Sequence, residues 1–321
     1  MTRIDAENAT LREIPVERID RNPENPRIVF RPTELEELLE SIRVYGVQVP
    51  ISLYKEGTRF VLIDGERRWR CCLKLNKKTI PALVQDKPTP LDNLLLMFNI
   101  HSLREQWDLF TVAVKLPRVI DLLEHDIGRR PNERELAART GLSRGVIRRC
   151  KLLMELPDPY KDEIRKELNK PKAQAHKLTE DFFIEMERSL KTVERALPQV
   201  IDDKDRVRDV LIEKYRKGTI RNVTDFRDMS KIARAEYVQA DTNVAKFALD
   251  QLFNRNNYSI EDAYRDSVSE AYSERTFLGQ VTMVIEQLDF FTSSPDHVTD
   301  EIRRAMEKLY DKLAKILGRE R

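Results

Sequence analysis

The chain has 321 residues, with 57 Lys and Arg against 55 Asp and Glu and only 9 glycines. With 35% charged and 40% hydrophobic residues, it has the composition of a mostly helical chain with enough apolar side chains for real cores. That excludes a chain disordered throughout. A net charge of +2 names no partner, so the partner has to be read from local charge.

Other classes fall on the same grounds. No stretch approaches the roughly 18 uncharged apolar residues of a membrane span, and the N-terminal MTRIDAENAT lacks an apolar signal core. The 3 cysteines (Cys71, Cys72, Cys150) and 4 scattered histidines form neither a disulfide framework nor a four-ligand zinc site. The expectation is a cytoplasmic protein with no membrane association and no structural metal.

In chain order, Leu11 to Ile19 reads as a short extended run, ended by the turn-forming Asn22-Pro23-Glu24-Asn25-Pro26. Pro32-Thr33 opens a helix with Thr33 and Glu36 at capping-box spacing, an apolar stripe of Leu35, Leu38, Leu39 and Ile42, and a stop at Gly46. Pro50 to Tyr54 and Arg59 to Ile63 flank Lys55-Glu56-Gly57-Thr58 as a β-hairpin. A helix starts at Gly65, and Thr79 to Val84 is another strand, which makes residues 11 to 86 a small α/β unit. Beyond Pro88 the pattern is helical, with two helices over Leu91 to Glu124 meeting near residues 101–106.

Two helices near the C-terminus carry heptad-like seams: Phe277, Val281, Val284, Leu288 and Phe291, then Ile302, Met306, Leu309, Leu313 and Ile316. Ser293-Ser294-Pro295 separates them. Each seam falls short of the three to four heptads or so that argue for a coiled coil. Two readings stay open, a hairpin that closes its own core and a hairpin that dimerises.

Residues 131 to 153 read PNERELAARTGLSRGVIRRCKLL. Asn132 caps a first helix with Glu135 three residues later, Leu136 and Ala137 face inward, and Gly141 sits where a tight turn needs a positive φ. Ser143 caps the next helix, whose inward positions are Val146, Ile147 and Cys150. This is the helix-turn-helix pattern. From Arg129 to Lys151 there are eight basic residues and two acidic ones, a local net charge of +6. Arginines beside a recognition helix suit phosphate contacts and guanine readout. Arg144 and Arg148, one turn apart, are the first candidates for DNA contact, followed by Ser143 and Arg149, with Arg130 at the DNA backbone.

Asp64-Gly65-Glu66-Arg67-Arg68-Trp69-Arg70 marks a strand-to-helix junction. A helix N-terminus offers unpaired N–H groups and a positive dipole end, and Arg67, Arg68 and Arg70 add fixed positive charge, so the junction suits a phosphate. The ordinary alternative is a surface helix salt-bridged through Glu66.

Here several ordered motifs, from Leu11 to Asp158, resemble the ParB partition proteins and their nucleoid-occlusion relatives. IDRNPENPR is similar to the family's first box, ending in Pro26-Arg27. LEELLESIRVYGVQVPI resembles the next helix and strand, with Gly46, Pro50 and Ile51 in place. GERRWRCC resembles the GERRxRA box, with Cys71 where alanine is usual, and the helix-turn-helix with its trailing KLLMELP follows in order. The resemblance implies binding of a palindromic, centromere-like site on double-stranded DNA by a homodimer. It also implies CTP as a ligand whose binding closes the dimer into a sliding clamp, with a ParA-type ATPase as protein partner. Carried over, Arg27, Gly65, Glu66, Arg67, Arg68 and Arg70 line the triphosphate site, where arginine forks pair with phosphate oxygens.

One box departs. In the family an ENxxR stretch holds Mg²⁺ through its Glu-Asn pair, whereas this chain reads FNIHSLREQWD. Aligned on Asn99, Phe98 stands in the glutamate position and Asn99 is the one carried-over nucleotide and metal ligand. Aligned on Arg104, Ile100 and His101 form the pair. The carboxylate that a hard cation wants is missing in both registers, so CTP binding is expected but hydrolysis is not implied. Glu105 and Asp108 are the candidate substitutes. The α/β unit also resembles sulfiredoxin and a ParB-like free-serine kinase, but Glu66 stands where sulfiredoxin needs its cysteine, and a kinase leaves the helix-turn-helix unexplained.

The expected fold class is α+β, predominantly α. Residues 1–88 form a nucleotide-binding α/β domain, 89–175 a helical DNA-binding domain with the helix-turn-helix at 132–153, and 176–321 an all-helical region for oligomerisation. The function read from the whole is a nucleoid-associated, sequence-specific DNA-binding protein for segregation of a plasmid, phage or chromosome. A transcriptional regulator is the second reading, and a nucleotide-dependent kinase or nuclease the third.

Overall fold

The computed structural model describes residues 10–25, 32–102, 108–170, 178–293 and 297–319. Pro15 ends strand β1 (Thr10–Pro15), a 3-10 turn spans Val16–Arg18, and β2 (Ile19–Asp20) follows. The single extended run expected from Leu11 to Ile19 is therefore two strands, and they lie at opposite edges of one sheet of order β1-β5-β3-β4-β2. Proline supplies no N–H to continue the ladder. The short link between the two edges reaches at most about 14 Å, while four strand spacings on the flat need about 19 Å. The sheet is therefore curled, and Trp69 Nε1, donating to the Val16 carbonyl at 3.3 Å, fastens α2 to the crossing.

The remaining elements of this part are α1 (Pro32–Tyr45), β3 (Ile51–Glu56), β4 (Arg59–Asp64), α2 (Glu66–Lys74) and β5 (Thr79–Gln85). The hairpin is tighter than the expected four-residue link: Gly57 takes φ +60°, and pairing continues to Glu56 opposite Arg59. Ile51, Leu53, Leu62 and Ile80 of the sheet pack with Leu35 and Ile42 of α1 and Cys71 and Cys72 of α2 in one core. Leu38 and Leu39 complete the α1 stripe as partly buried members.

Helices follow: α3 (Pro90–Ser102), α4 (Leu109–Ile127), α5 (Glu133–Thr140), α6 (Arg144–Met154), α7 (Asp158–Leu168), α8 (Glu180–Ala196), α9 (Lys204–Lys217) and α10 (Phe226–Ile232). The last four are α11 (Thr242–Asn254), α12 (Ile260–Arg265), α13 (Ser269–Ser293) and α14 (Asp300–Ile316). Among the described residues no helix is long and apolar enough to cross a membrane. The fold is α+β and predominantly α, with a five-stranded mixed sheet.

The chain forms two compact units, residues 1–191 with 211–226, and residues 192–210 with 227–321. In the first, Phe182 of α8 packs edge-on against Phe183 and Phe226 and tilted against Tyr215, with ring centroids 4.6–5.3 Å apart. In the second, Lys231 lies over the rings of Tyr264 and Tyr272. No described residue of α13 or α14 is buried. Of the two seams, Val281, Leu288, Phe291, Ile302 and Met306 are half-buried, while Phe277, Val284, Leu309, Leu313 and Ile316 stay exposed.

Glu180, the first residue of α8, accepts the Phe110 N–H at the start of α4. Desolvation raises its pKa to about 7, against that hydrogen bond and with help from Asp108 and Asp181. The folded chain binds this proton more tightly than the unfolded one does. The stabilisation is therefore complete below the ordinary value of 4.5 and is lost as pH rises through about 7. Glu180→Gln, which keeps the acceptor, should flatten the pH dependence of the melting temperature in that window and raise it above neutrality. An unchanged profile in thermal unfolding would assign the titration to another group.

Candidate functional site

The junction of β4 and α2 is built on Gly65. Its φ is +97°, and a Cβ there would stand 2.4 Å from Cγ2 of Ile51, so only glycine lets the N-terminus of α2 sit this close to β3. Arg68 turns back along the same junction. It donates to the carbonyls of Val49 and of Pro50 (2.8 Å) and pairs with Asp64 at 3.0 Å. Of the three arginines expected around a phosphate, Arg68 is engaged by backbone carbonyls and Asp64, Arg70 by Glu66, and Arg67 is half-buried.

Glu66 is 4% exposed. Its Oε1 accepts from Arg21 Nε at 3.1 Å and from Arg70 Nε and Nη2 at 3.0 and 2.6 Å, while Oε2 accepts from Asn25. A buried carboxylate is tolerated only when paired and hydrogen-bonded in this way. Its consequence is to hold two arginines, from different segments, side by side. Beside them is an open cavity of about 590 Å³, lined by Arg21, Leu35, Glu36, Trp69, Arg70, Leu73 and Lys74. An indole with three cations against the single carboxylate of Glu36 leaves a net positive lining, which suits a base and an anionic tail.

The first-box turn ties this site to its surroundings. Asn22 Oδ1 accepts the Glu24 N–H at 3.0 Å, and Asn22 Nδ2 donates to Asn93 of α3 at 3.1 Å. Glu24 lies 3.6 Å from both Lys115 and Arg118 of α4. Arg27 and Glu105 fall outside the described residues.

The third box does not fit a magnesium ion held as the resemblance implies. Phe98, which has no oxygen to offer, is 1% exposed. Asn99 spends its amide N–H groups on the carbonyls of Leu95 (2.9 Å) and of Arg139 in α5 (3.3 Å). Asp108, a candidate substitute, is the N-cap of α4 and accepts the Thr111 N–H at 2.7 Å. Among the described residues no group of three or more His, Cys, Asp or Glu could hold a metal. The thiols of Cys71, Cys72 and Cys150 are buried, and desolvation raises all three pKa values, that of Cys150 to about 12. They are core thiols.

The helix pair α5–α6 forms as its caps dictate. Asn132 and Glu135 make the full capping box, Gly141 takes φ +73°, and Ser143 Oγ accepts the Val146 N–H at 3.2 Å. Leu136, Ile147 and Cys150 are buried, and Ala137 and Val146 are half-buried. Five of the eight basic residues have an acidic partner: Arg129 with Glu135, Arg139 with Asp126, Arg148 and Lys151 with Glu133, and Arg149 with Asp181. Arg130, Arg134 and Arg144 are exposed and have no ion pair among the described residues. Ser143 keeps its hydroxyl proton free to donate while serving as the cap.

Sequence reasoning passed over Arg21 and Asn25, although both stand inside the first box. It also passed over Glu133 and Asp181, whose pairing is tertiary. Gly65→Ala should cost about 2–4 kcal/mol, because a left-handed backbone and an overpacked Cβ add together. Chemical denaturation checks this, and a loss below 1 kcal/mol or so would mean that Ile51 can move aside.

Residues 2–98 match the family model of the ParB N-terminal domain. A probable chromosome-partitioning protein ParB of Mycobacterium leprae is 34% identical over 169 residues, 50% of this chain and 47% of that protein. The nucleoid occlusion protein of Geobacillus thermodenitrificans is 29% identical over 230 residues, 70% of this chain and 77% of that protein. The C-terminally truncated ParB of Caulobacter crescentus is similar in two solved structures. Its complex with CTP-gamma-S has 28% identity over 49% of this chain and 85% of that one, with a TM-score of 0.28. Its complex with the centromeric parS site has 21% identity over 70% of this chain and 98% of that one, with a TM-score of 0.43. The match thus spans about half the length of the partition relative and about three quarters of the nucleoid occlusion relative.

Proposed function

We propose that this member of the ParB family, with the family's N-terminal domain at residues 2–98, is a sequence-specific binder of double-stranded DNA. CTP switches its hold on that DNA, and its role is the segregation of a DNA molecule. Residues 1–88 are the nucleotide domain, 89–175 the DNA-binding domain and 176–321 the oligomerisation region. The protein works as a homodimer on a palindromic site, associated with the nucleoid in the cytoplasm, with a ParA-type ATPase as partner.

The observation that carries the DNA reading is the fully capped helix pair with its uncommitted cations. Arg130, Arg134 and Arg144 stand in solvent on or beside the two helices, and Arg148 is 59% exposed at its side chain. Exposed arginines with no partner are available to phosphates without first breaking an ion pair. A palindrome is read by a two-fold symmetric protein, and the exposed apolar residues of α13 and α14 offer the surface for a second copy.

Chromatin immunoprecipitation followed by binding to the mapped site tests this. One sharp peak with broad shoulders is expected; many narrow peaks would instead indicate a repressor. Arg144→Ala or Arg130→Ala should weaken binding to all duplexes alike and lower the salt slope by about one unit. An unaltered salt slope in both variants would remove these residues from the interface.

For the nucleotide, the cavity beside Glu66 supports CTP. Arg70, Arg21 and Trp69 line it, and the resemblance adds Arg27, Gly65, Arg67 and Arg68 as the phosphate side, where Arg68 would have to exchange its carbonyl partners for the phosphate. Phosphoryl transfer needs a positioned metal, and among its described residues the third box supplies only Asn99 toward one, so the nucleotide acts by occupancy rather than turnover. Calorimetry with CTP, ATP and GTP should give heat with CTP alone, weakened at least about tenfold by Arg70→Ala, without phosphate release. Heat with none of the three would leave a DNA-binding protein with no nucleotide switch.

A further inference from the structure

The recognition helix carries an asymmetry that the DNA reading leaves unexplained. Arg144 and Arg148 lie one turn apart on the same face, yet Arg144 has no ionic partner among the described residues and Arg148 has one. That partner, Glu133, belongs to the other helix of the pair. It is the first residue of α5, where a carboxylate is also favoured by the positive end of the helix dipole. Glu133 straddles two cations of α6, with Oε2 accepting from Arg148 Nε at 3.0 Å and Oε1 accepting from Lys151 Nζ at 3.1 Å.

The choice of nitrogen matters. Among the described residues only the inner Nε of Arg148 is engaged, so its two terminal nitrogens remain as a fork, the part of a guanidinium that matches guanine O6 and N7. Lys151, one turn further along α6, is kept from acting as a loose phosphate contact. Stability does not account for the arrangement, because ion pairs this exposed contribute about 0–1 kcal/mol. Arg148 and Lys151 are 59% and 39% exposed at their side chains.

We propose that Glu133 is a positioning residue for DNA readout: it aims the free fork of Arg148 at a base edge and withholds Lys151 from the DNA backbone. The inference rests on the DNA-binding reading above and adds to it the residue that sets specificity. A single negative charge at the interface disfavours binding to any phosphate backbone. The cost is recovered only where the aimed arginine finds its base. Glu133 therefore widens the gap between specific and non-specific DNA from both sides.

The test is selection from a library of randomised DNA duplexes by the full-length protein and its Glu133→Gln variant, with poly(dA·dT) as the non-specific probe. The variant should enrich the same motif with one position per half-site relaxed. It should bind poly(dA·dT) more tightly with a salt slope steeper by about one unit, so that the specificity ratio falls about tenfold, the worth of one good base contact. Its melting temperature should barely move. Arg148→Lys, which keeps the charge but loses the fork, should relax the same position. In an Arg148→Ala background, Glu133→Gln should leave the motif unaltered.

An unchanged motif together with an unchanged affinity for poly(dA·dT) would overturn the proposal. So would a parallel loss of both affinities with a lowered melting temperature, which would make Glu133 a helix-stabilising residue only. If the unaltered protein enriches no motif and does not bind poly(dA·dT), the DNA-binding reading itself fails, which is a distinct result.

Discussion

The buried carboxylate of Glu66 organises the N-terminal part of this protein. Left alone, an ionised side chain at 4% exposure would cost several kcal/mol. Here Arg21, Asn25 and Arg70 surround it, brought from the end of β2, the turn after it and the second turn of α2. The turn is therefore held against the helix, and the two arginines are held together at the mouth of the cavity. Gly65 makes this possible by letting α2 begin against Ile51, and Arg68 secures the junction from behind. An anion entering the cavity meets cations already positioned and restrained, which lowers the ordering cost of binding.

The same turn gives the site a route outward. Asn22 reaches Asn93 in α3, Glu24 faces Lys115 and Arg118 in α4, and Asn99 in α3 donates to a carbonyl at the end of α5. These are a few polar contacts between elements of one compact unit. They join the turn that holds Glu66 to α3 and α4, and α3 to α5, through groups in direct contact.

The basic excess of the helix pair is sorted rather than uniform. Five of its eight cations are paired with carboxylates and three are not, so the formal charge of the segment overstates what is available to a polyanion. At the other end of the chain α13 and α14 show the reverse, apolar stripes with no buried residue. These exposed apolar residues form the surface proposed above for a second copy.

Local structure here follows from short stretches of the chain. The capping box of Asn132 and Glu135, the positive φ of Gly141, the Ser143 cap and the stop at Gly46 are dictated by residues within a few positions of one another, and each forms as its neighbours require. The helical composition, the Gly65 junction and the ordered motifs that resemble the ParB family were legible for the same reason. Tertiary structure decided the rest. Whether Leu11 to Ile19 is one strand or two depends on a sheet curled until its edges are joined by a three-residue turn. Whether Arg68 faces a ligand or the carbonyls of Val49 and Pro50, and whether Arg148 stands free or leans on Glu133, depends on groups 15 to 19 residues away in sequence. Periodicity places a side chain on a face of its own element; which charge it meets there is set by the packing of another.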